Sequence, residues 1–387
     1  MPKPRRILLV NGTSEIGGAD IDLLAICAHL PRDRYEAMVV LPHTGPLCDD
    51  FLAHGIRLFY LDPAPLKRLA SLGETLSYPW RFGRAVWSLF HLIRRERPDI
   101  VQINSAVLPA AALAARLAGV KCLWHLREIE LLQRSRLIGA LLRRCILEYA
   151  DRIVAISQVV AGVLKGRNRN CPQVIYHGVD TSRFHPGPKN QALRQALKIP
   201  AHAKVIGYIG RLSPIKGLEY LIDALRVIRR QHRNALLLIV GPMLGYHRYL
   251  EQLKLQVAEA GLTHAVIFAG ERQDIPEVLW AMDVLVLPTV IPEGLGLVLL
   301  EGLACGKPVI ATDQGGPAEI LRDCAAARLV APRDSSAIAQ AMEYFWELPP
   351  TRLQEISREG VALVKEQYSM TKVMTKLEEV YDSLLSK

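Results

Sequence analysis

Short apolar runs alternate with longer amphipathic segments along the whole chain of 387 residues. This alternation is typical of βαβ units, in which a helix follows each strand of a parallel sheet and covers it. The runs that we predict as strands are Ile7–Asn11, Ala37–Leu41, Ile100–Ile103, Lys121–His125, Arg152–Ile156, Gln173–Tyr176, Lys204–Ile209, Ala235–Val240, Ala265–Phe268, Val284–Leu287 and Pro308–Ala311. Between them lie helical patterns such as the apolar stripe from Phe82 to Ile93. The fold class predicted is α/β.

A segment without periodicity, His185–Asn190 (HPGPKN), separates two halves that begin alike. Each half opens with a strand, a glycine-bearing loop and a helix, the arrangement that binds phosphate groups at a helix N-terminus. Neither loop has the G-x-G-x-x-G spacing, so the fingerprint of nicotinamide and flavin binding is absent. The length also suits two domains. We therefore predict an N-terminal domain over residues 1–185 and a C-terminal domain from residue 186 onward.

The net charge of +10 is unevenly distributed. Residues 1–185 hold 25 basic and 16 acidic side chains, whereas residues 186–387 hold 23 and 22. The excess predicts an anionic partner for the first half, such as a membrane surface, and the alternative is a solvated basic face. The cations concentrate in two segments that read as amphipathic helices, namely Arg81–Arg97 (Arg81, Arg84, Arg94, Arg95, Arg97) with Trp80 and Trp87, and Arg134–Arg144 (Arg134, Arg136, Arg143, Arg144).

Several classes of protein are excluded by composition and spacing. No uncharged stretch approaches the ~20 apolar residues of a membrane-spanning helix. The seven cysteines include no C-x-x-C pair, and the eleven histidines show no ligand spacing, so we predict no metal site and a reducing compartment. Only 6% of residues are aromatic and no basic run is interleaved with them, which argues against nucleic acid. We expect a cytoplasmic protein, attached at most peripherally to the membrane.

The segment PEGLGLVLLEGLACGKPVIATDQGG carries the most chemistry. Glu293 follows a predicted strand, so it should lie in the loop at the carboxyl end, where open α/β sheets bind ligands. Gly294 and Gly296 allow close backbone approach and expose N–H groups where a helix begins at Leu297. Glu301 stands on that otherwise apolar helix, and its two oxygens could accept both hydrogen bonds of a vicinal diol. The alternative is a helix-start acid and a solvent-facing glutamate.

This E-x7-E segment closely resembles that of the family 4 retaining glycosyltransferases, which use nucleotide-sugar donors. Further segments match in order: IGGAD (Ile16–Asp20), ADRIVAISQ (Ala150–Gln158) and GRLSPIKGLEYLIDAL (Gly210–Leu225). The resemblance implies the GT-B fold, with two Rossmann-like domains facing across a cleft. It assigns residues 186–367 to the donor-binding domain and 1–185 to the acceptor-binding domain. The last helix, about residues 368–387, is expected to cross back to the first domain.

The resemblance also implies roles for individual residues. Arg211 and Lys216 would grip the donor diphosphate, Glu293 the transferred sugar and Glu301 the ribose. Two cations beside a glycine-bearing loop suit that task because they can stabilise a leaving diphosphate without a metal. The other donor-binding positions implied are Gly17, Gly18, Arg272, Gly294, Gly296 and Leu297, with Arg272 near the base. His125 in WHLREI matches the active-site histidine, although a histidine after a strand can be purely structural.

Two features of the sequence bear on these roles. Asp20 and Asp22 form a D-x-D pair, which binds divalent metals in another transferase architecture. Here they should lie in the first turn of a helix, where acids favour the helix dipole, and we predict no metal and no cofactor. His177 in YHGVD stands where the family usually has Asn, so no role is carried over to it.

The function implied is retaining transfer of a sugar from a nucleotide-sugar donor, UDP- or GDP-linked, to a hydroxyl of a glycan or lipid-linked acceptor. Such a reaction belongs to polysaccharide or envelope glycan biosynthesis. Two alternatives stay open at this point. One is a nucleotide-sugar 2-epimerase on the same fold, and the other is a catalytically silent protein that binds a nucleotide or an anionic lipid.

Overall fold

The computed structural model describes residues 3–15, 17–66, 72–129, 132, 136–164 and 171–386. The chain divides into two units. Unit 1 consists of Met1–Gly178 together with Met370–Lys387, and unit 2 is Val179–Ser369. The division thus falls after residue 178, whereas the sequence places it after residue 185. Near this boundary the backbone N–H of Val179 donates to the carbonyl of Tyr368, 2.8 Å away, and both residues belong to unit 2.

Unit 1 is built on a seven-stranded sheet with the order β3-β2-β1-β4-β5-β6-β7, in which all neighbours pair in parallel. The order reverses between β1 and β4, as in doubly wound folds. The strands are β1 (Arg5–Val10), β2 (Tyr35–Leu41), β3 (Arg57–Tyr60), β4 (Ile100–Ile103), β5 (Lys121–Leu126), β6 (Arg152–Ala155) and β7 (Gln173–Val174).

The helices of unit 1 follow the strands along the chain. They are α1 (Gly18–His29), α2 (Leu47–Ala53), α3 (Leu72–Glu96), α4 (Pro109–Ala118), α5 (Arg136–Tyr149) and α6 (Gln158–Gly162). The apolar stripe of α3 is its packed face, because Ala85, Leu89 and Ile93 are buried and the helix packs against α4.

The C-terminal helix, Met370–Leu385, packs into the core of unit 1. Val373, Leu377 and Tyr381 are buried there, and the Tyr381 hydroxyl donates to the side-chain oxygen of Gln102 over 2.6 Å. The expected return of the last helix to the first unit is therefore confirmed.

Unit 2 contains a six-stranded parallel sheet with the order β10-β9-β8-β11-β12-β13. Its strands are β8 (Lys204–Ile209), β9 (Ala235–Val240), β10 (Val266–Gly270), β11 (Val284–Leu287), β12 (Val309–Thr312) and β13 (Ala327–Val330). Its helices are α7 (Gln191–Ala196), α8 (Leu218–Ile228), α9 (His247–Glu259), α10 (Ile275–Ala281), α11 (Leu297–Ala304), α12 (Gly315–Leu321), α13 (Ser335–Glu347) and α14 (Pro350–Leu363), with a 3₁₀ turn at Pro214–Lys216 and a π-helical turn at Val364–Tyr368.

The α/β architecture predicted from the hydrophobic pattern is confirmed, and all the predicted strands are present. Two strands were not predicted, β3 and β13. Both lie at the edge of a sheet, where burial is incomplete and the apolar run is short (RLFY and ARLV). Among the described residues, no helix is both long enough and apolar enough to cross a bilayer.

Candidate active site

Close backbone packing holds three loops of unit 2 together at the carboxyl ends of its strands. Gly217, which ends the 3₁₀ turn after β8, has a φ of 67°. A Cβ atom there would lie 2.2 Å from the carbonyl oxygen of Pro288, in the loop after β11. Gly315, which begins α12, has a φ of 65°, and its Cβ would lie 2.4 Å from the carbonyl oxygen of Glu293. Only glycine permits both the backbone conformation and the contact.

An ion pair joins two of these loops. The Lys216 ammonium donates to both carboxylate oxygens of Glu293, each at 2.7 Å. Lys216 follows β8 and Glu293 follows β11, and these strands are neighbours at the reversal of strand order. The two side chains are 13% and 24% exposed, so the pair is partly open to solvent. The sequence assigned these residues separate ligand contacts and did not predict that they pair with each other.

Arg211 precedes Lys216 in the same loop after β8, and its side chain is exposed. Its carbonyl oxygen accepts a hydrogen bond of 2.8 Å from the buried hydroxyl of Tyr208, which fixes the backbone of the loop. Within the described part of the chain, its guanidinium forms no ion pair. A cation on a fixed backbone with no protein partner is available to an anionic ligand.

The start of α11 combines free backbone donors with a nearby carboxylate. Gly296, with a φ of 85°, precedes Leu297, the first residue of the helix. Glu301 lies one turn further, is partly buried, and accepts no hydrogen bond from the side chains of described residues. Burial raises the pKa of Glu301 to about 7, against the opposing charge of Arg183. This carboxylate retains its capacity to accept hydrogen bonds from a ligand.

In unit 1, a buried polar cluster lies at the carboxyl ends of β1, β4 and β5. His125 is 2% exposed near the end of β5. Arg127 follows the strand, and its guanidinium donates to the carboxylate of Asp22, to Asn104 Oδ1 at 2.8 Å, and to Nδ1 of His125 at 3.4 Å. His177 Nε2 lies 3.2 Å from the same guanidinium.

The D-x-D aspartates of α1 are both engaged in this cluster. Asp20 accepts a 2.7 Å hydrogen bond from the side chain of Asn11, and burial raises the pKa of Asp20 to about 6. Asp22 forms the ion pair with Arg127, so it is a buried partner of a cation and not merely a helix-dipole acid. No group of three or more side chains suited to hold a metal occurs among the described residues.

Two family models match the chain. "Glycosyltransferase Family 4" matches residues 16–183, and "Glycosyl transferases group 1" matches residues 189–360. The D-inositol 3-phosphate glycosyltransferase of Salinispora arenicola is 30% identical over 98% of this chain and 92% of its own length. The lipopolysaccharide core biosynthesis mannosyltransferase LpsB of Rhizobium meliloti is 31% identical over 61% of this chain and 66% of its own. The chain belongs to glycosyltransferase family 4.

Solved structures agree with this assignment at the level of the fold. Anabaena HepE in complex with UDP has a TM-score of 0.81 and 25% identity, covering 98% of this chain and 100% of that one. Sucrose-phosphate synthase from Thermosynechococcus elongatus has a TM-score of 0.81 and 20% identity, with 99% of each chain covered. The GT-B fold is therefore confirmed, and the protein is a nucleotide-sugar-dependent glycosyltransferase.

The remaining predicted positions of this glycosyltransferase differ in what surrounds them. Arg272 directs its side chain to Asp274 through bonds of 2.7 and 2.5 Å, which hold the pKa of Asp274 below its ordinary value. A contact of Arg272 with the base would thus involve its backbone. Gly17 caps α1 and Gly18 begins it, while Ile16 lies outside the described residues. The binding roles of these residues stay predictions.

Sequence reasoning on this glycosyltransferase missed the cluster around Arg127. The available signal was the spacing of His125 and Arg127, since positions i and i+2 of an extended segment point to the same face. The neighbouring Glu128 forms hydrogen bonds within unit 1. It accepts hydrogen bonds from the Ser105 hydroxyl at 2.7 Å and the Ala106 N–H at 3.0 Å, and so orders the loop after β4.

The raised pKa of Glu301 predicts a pH-dependent gain in stability for Glu301→Gln. Ionisation is penalised in the folded protein, so the penalty is small at pH 4, grows as the pH rises from the ordinary pKa of 4.5 to the folded-state pKa of about 7, and is complete at pH 8.5. The variant should therefore exceed the parent in free energy of unfolding by about 1–3 kcal/mol at pH 8.5. Urea denaturation at the two pH values measures this. The exposed Glu259→Gln is the control, and equal stability of Glu301→Gln and parent at pH 8.5 would contradict the assignment.

Proposed function

We propose that this enzyme transfers a sugar from a UDP-sugar, with retention of anomeric configuration, to a hydroxyl of a glycan or lipid-linked acceptor. The observation that carries the donor half of this proposal is the grouping in unit 2 of an unpaired cation, a shared cation and an unpartnered carboxylate. Arg211, Lys216 and Glu301 all belong to segments that follow β8 and β11 at the reversal of strand order. That is where doubly wound sheets bind ligands.

These segments contain a group suited to each part of a nucleotide sugar. The two oxygens of Glu301 can accept the hydrogen bonds of the ribose diol. The backbone N–H groups at the start of α11 and the Arg211 guanidinium can hold the diphosphate. Lys216 is partly exposed and neutralises Glu293, whose carboxylate oxygens keep further lone pairs that could accept hydrogen bonds from the sugar. These charges would stabilise the leaving diphosphate without a metal, and no cofactor is included in the proposal.

The choice of UDP draws on the names of relatives. Anabaena HepE has been solved with UDP and with UDP-glucose. An Escherichia coli relative, 26% identical over 80% of this chain and 78% of its own, is named a UDP-Gal:alpha-D-GlcNAc-diphosphoundecaprenol alpha-1,3-galactosyltransferase. Together with the inositol 3-phosphate and lipopolysaccharide core relatives, it favours a phosphorylated, lipid-linked or envelope glycan acceptor.

The resemblance to the retaining family 4 enzymes implies a catalytic step that uses no protein nucleophile. The departing diphosphate oxygen would deprotonate the incoming hydroxyl, and the new bond would form on the face that the diphosphate leaves. His125 would contact the transferred sugar. A 2-epimerase would use the same donor site but require no acceptor, so the donor alone distinguishes the two reactions.

A donor panel tests the proposed reaction. A UDP-sugar at 100 times its Kd should stabilise the protein by about 2.7 kcal/mol, and GDP-sugars should not. With a lipid-linked glycan acceptor, the anomeric proton of the product should show the coupling constant of the donor by NMR. Product of inverted configuration would refute retention. Conversion of the donor alone into an epimer would establish the epimerase instead, and selective stabilisation by a GDP-sugar would replace UDP by GDP.

The diphosphate contacts predict the effect of removing either cation. Arg211→Ala and Lys216→Ala should each lower kcat/KM for transfer by about 10²–10³, because each variant lacks a preorganised positive charge that would stabilise the leaving diphosphate. Arg226→Ala, an exposed cation of α8, is the matched control and should leave kcat/KM unchanged. Retention of parental kcat/KM in both site variants would remove Arg211 and Lys216 from the mechanism.

We further propose that unit 1 docks on an anionic membrane, at the cytoplasmic face, where a lipid-linked acceptor is presented. The surface that supports this is the solvent side of α3, where Trp80 and Trp87 are 67% and 65% exposed. Arg81 and Arg95 pair with acids, whereas Arg84, which stacks on Trp80, and Arg94 and Arg97 form no ion pair with described residues. Of the second cluster, Arg134 and the Arg136 side chain lie outside the described residues, Arg143 donates to a carbonyl and Arg144 pairs with Glu148.

Vesicle co-sedimentation tests this docking surface. The protein should bind phosphatidylcholine vesicles only when phosphatidylglycerol is included, and binding should fall as salt shortens the Debye length. Arg94→Gln with Arg97→Gln should weaken binding about 20- to 30-fold, at about 1 kcal/mol for each cation. The exposed Arg358→Gln of unit 2 should have no effect. Absence of binding at low salt, or equal binding to neutral vesicles, would contradict docking through these charges.

A further inference from the structure

One buried cation in unit 1 has two histidines among its hydrogen-bond partners. Arg127 donates from Nη1 to Asp22 and towards His177 Nε2 at 3.2 Å, and from Nη2 to His125 Nδ1 at 3.4 Å. Its Nε donates to Asn104 Oδ1 at 2.8 Å. The side chains of Arg127 and Asp22 are each 1% exposed, so these partners are not exchanged for water.

The chemistry of a guanidinium restricts the protonation of both imidazoles. Arginine has only N–H donors and stays charged, so a ring nitrogen that faces it must present a lone pair. The proton of each neutral ring then lies on the other nitrogen. For His125 that atom is Nε2, and for His177 it is Nδ1. Both atoms are buried and have no hydrogen-bond partner among the described residues.

We propose that Arg127 is a positioning residue that fixes His125 as the neutral Nε2–H tautomer. His125 would then offer an N–H group to an oxygen of the transferred sugar and could not accept a proton from the acceptor hydroxyl. The contact with the sugar rests on the function proposed above. The tautomer itself is a property of the free protein and can be measured without substrate.

Burial is the largest cause that favours the neutral form of both rings. Burial lowers the pKa of His125 well below its ordinary value, and the Arg127 cation and His177 lower it further. Burial lowers the pKa of His177 to about 4, although Asp22 opposes this. Arg127 and Glu128 both lie within electrostatic reach of Asp20. Because Asp20 has a pKa of about 6, acidification removes a negative charge near Arg127 and disfavours the imidazolium still more.

Asp22 and Asn104 explain why Arg127 can hold this position. A buried guanidinium is costly unless it is paired and its N–H groups are bonded. The Asp22 carboxylate supplies the charge and Asn104 accepts from Nε. Asn104 in turn donates to Asn11 Oδ1 at 3.2 Å, so the cluster is tied to the ends of β1 and β4.

The first experiment observes the tautomer directly. Full-length protein carrying ¹⁵N in its imidazole rings is recorded by long-range ¹H–¹⁵N correlation between pH 6 and 8, and His125→Gln identifies the signal. His125 should show a protonated Nε2, an unprotonated Nδ1 and no titration in this range. A proton on Nδ1, or titration between pH 6 and 8, would overturn the proposal whatever the enzyme transfers.

The second experiment removes the cation. The double variant Asp22→Asn/Arg127→Gln deletes both charges and avoids an uncompensated buried carboxylate. Its His125 should populate both tautomers with a pKa at least one unit higher, and kcat should fall at least tenfold and decline further toward acidic pH. Tyr381→Phe, which removes the buried hydrogen bond to Gln102 but no formal charge and no hydrogen-bond partner of Arg127, is the control for lost stability and should leave the tautomer and kcat unchanged. A parental tautomer and pH profile in the double variant would exclude Arg127 from this role.

Discussion

The parallel pairing of every strand is the constraint on which both units depend. Parallel strands require crossover connections, so the segments that leave their carboxyl ends gather at one edge of each sheet. In each unit the strand order reverses once near the middle, between β1 and β4 and between β8 and β11. Polar side chains that contact one another follow these strands: Asn11 and Asn104 in unit 1, and Lys216 and Glu293 in unit 2. In doubly wound folds, such a reversal is the place where ligands bind outside the carboxyl ends of the strands.

The polar side chains at these strand ends are paired in unit 1 and partly unpaired in unit 2. Arg127 and Asp22 form an ion pair with each other, and the buried atoms of this cluster that lack a hydrogen-bond partner among the described residues are Asp22 Oδ1, His125 Nε2 and His177 Nδ1. In unit 2, by contrast, Arg211 is exposed and Glu301 lacks a hydrogen-bond partner among the described residues. A charge left unpaired lowers stability but is free for a ligand, whereas a paired charge fixes geometry. The charges of unit 1 are thus fixed by one another, whereas Arg211 and Glu301 of unit 2 retain the capacity to bind a ligand.

The sequence predicts the elements of this fold better than the contacts of its site. Hydrophobic periodicity located α11 and strands such as β8 and β11, because it reports local burial along a single element. It therefore places Glu301 on the helix that begins at Leu297. The partners of Arg127 could not be found this way, since Asp22 is 105 residues away in sequence and His177 is 50. Such contacts are set by strand order, which alternation alone does not encode.

The fold shows which of the cations that make up the net charge are paired with acids. The basic excess of the first half stays within unit 1, but many of its individual cations are paired with acids. Arg34 pairs with Glu378 and Asp382 of the C-terminal helix, and Arg57 bridges Glu36 and Glu96. Such partly exposed pairs contribute little stability, yet they cancel the field at a distance. If unit 1 docks on an anionic surface as proposed, the cations in and just after α3 that lack acidic partners among the described residues are the ones available for the contact, so the distribution of charge matters more than its total.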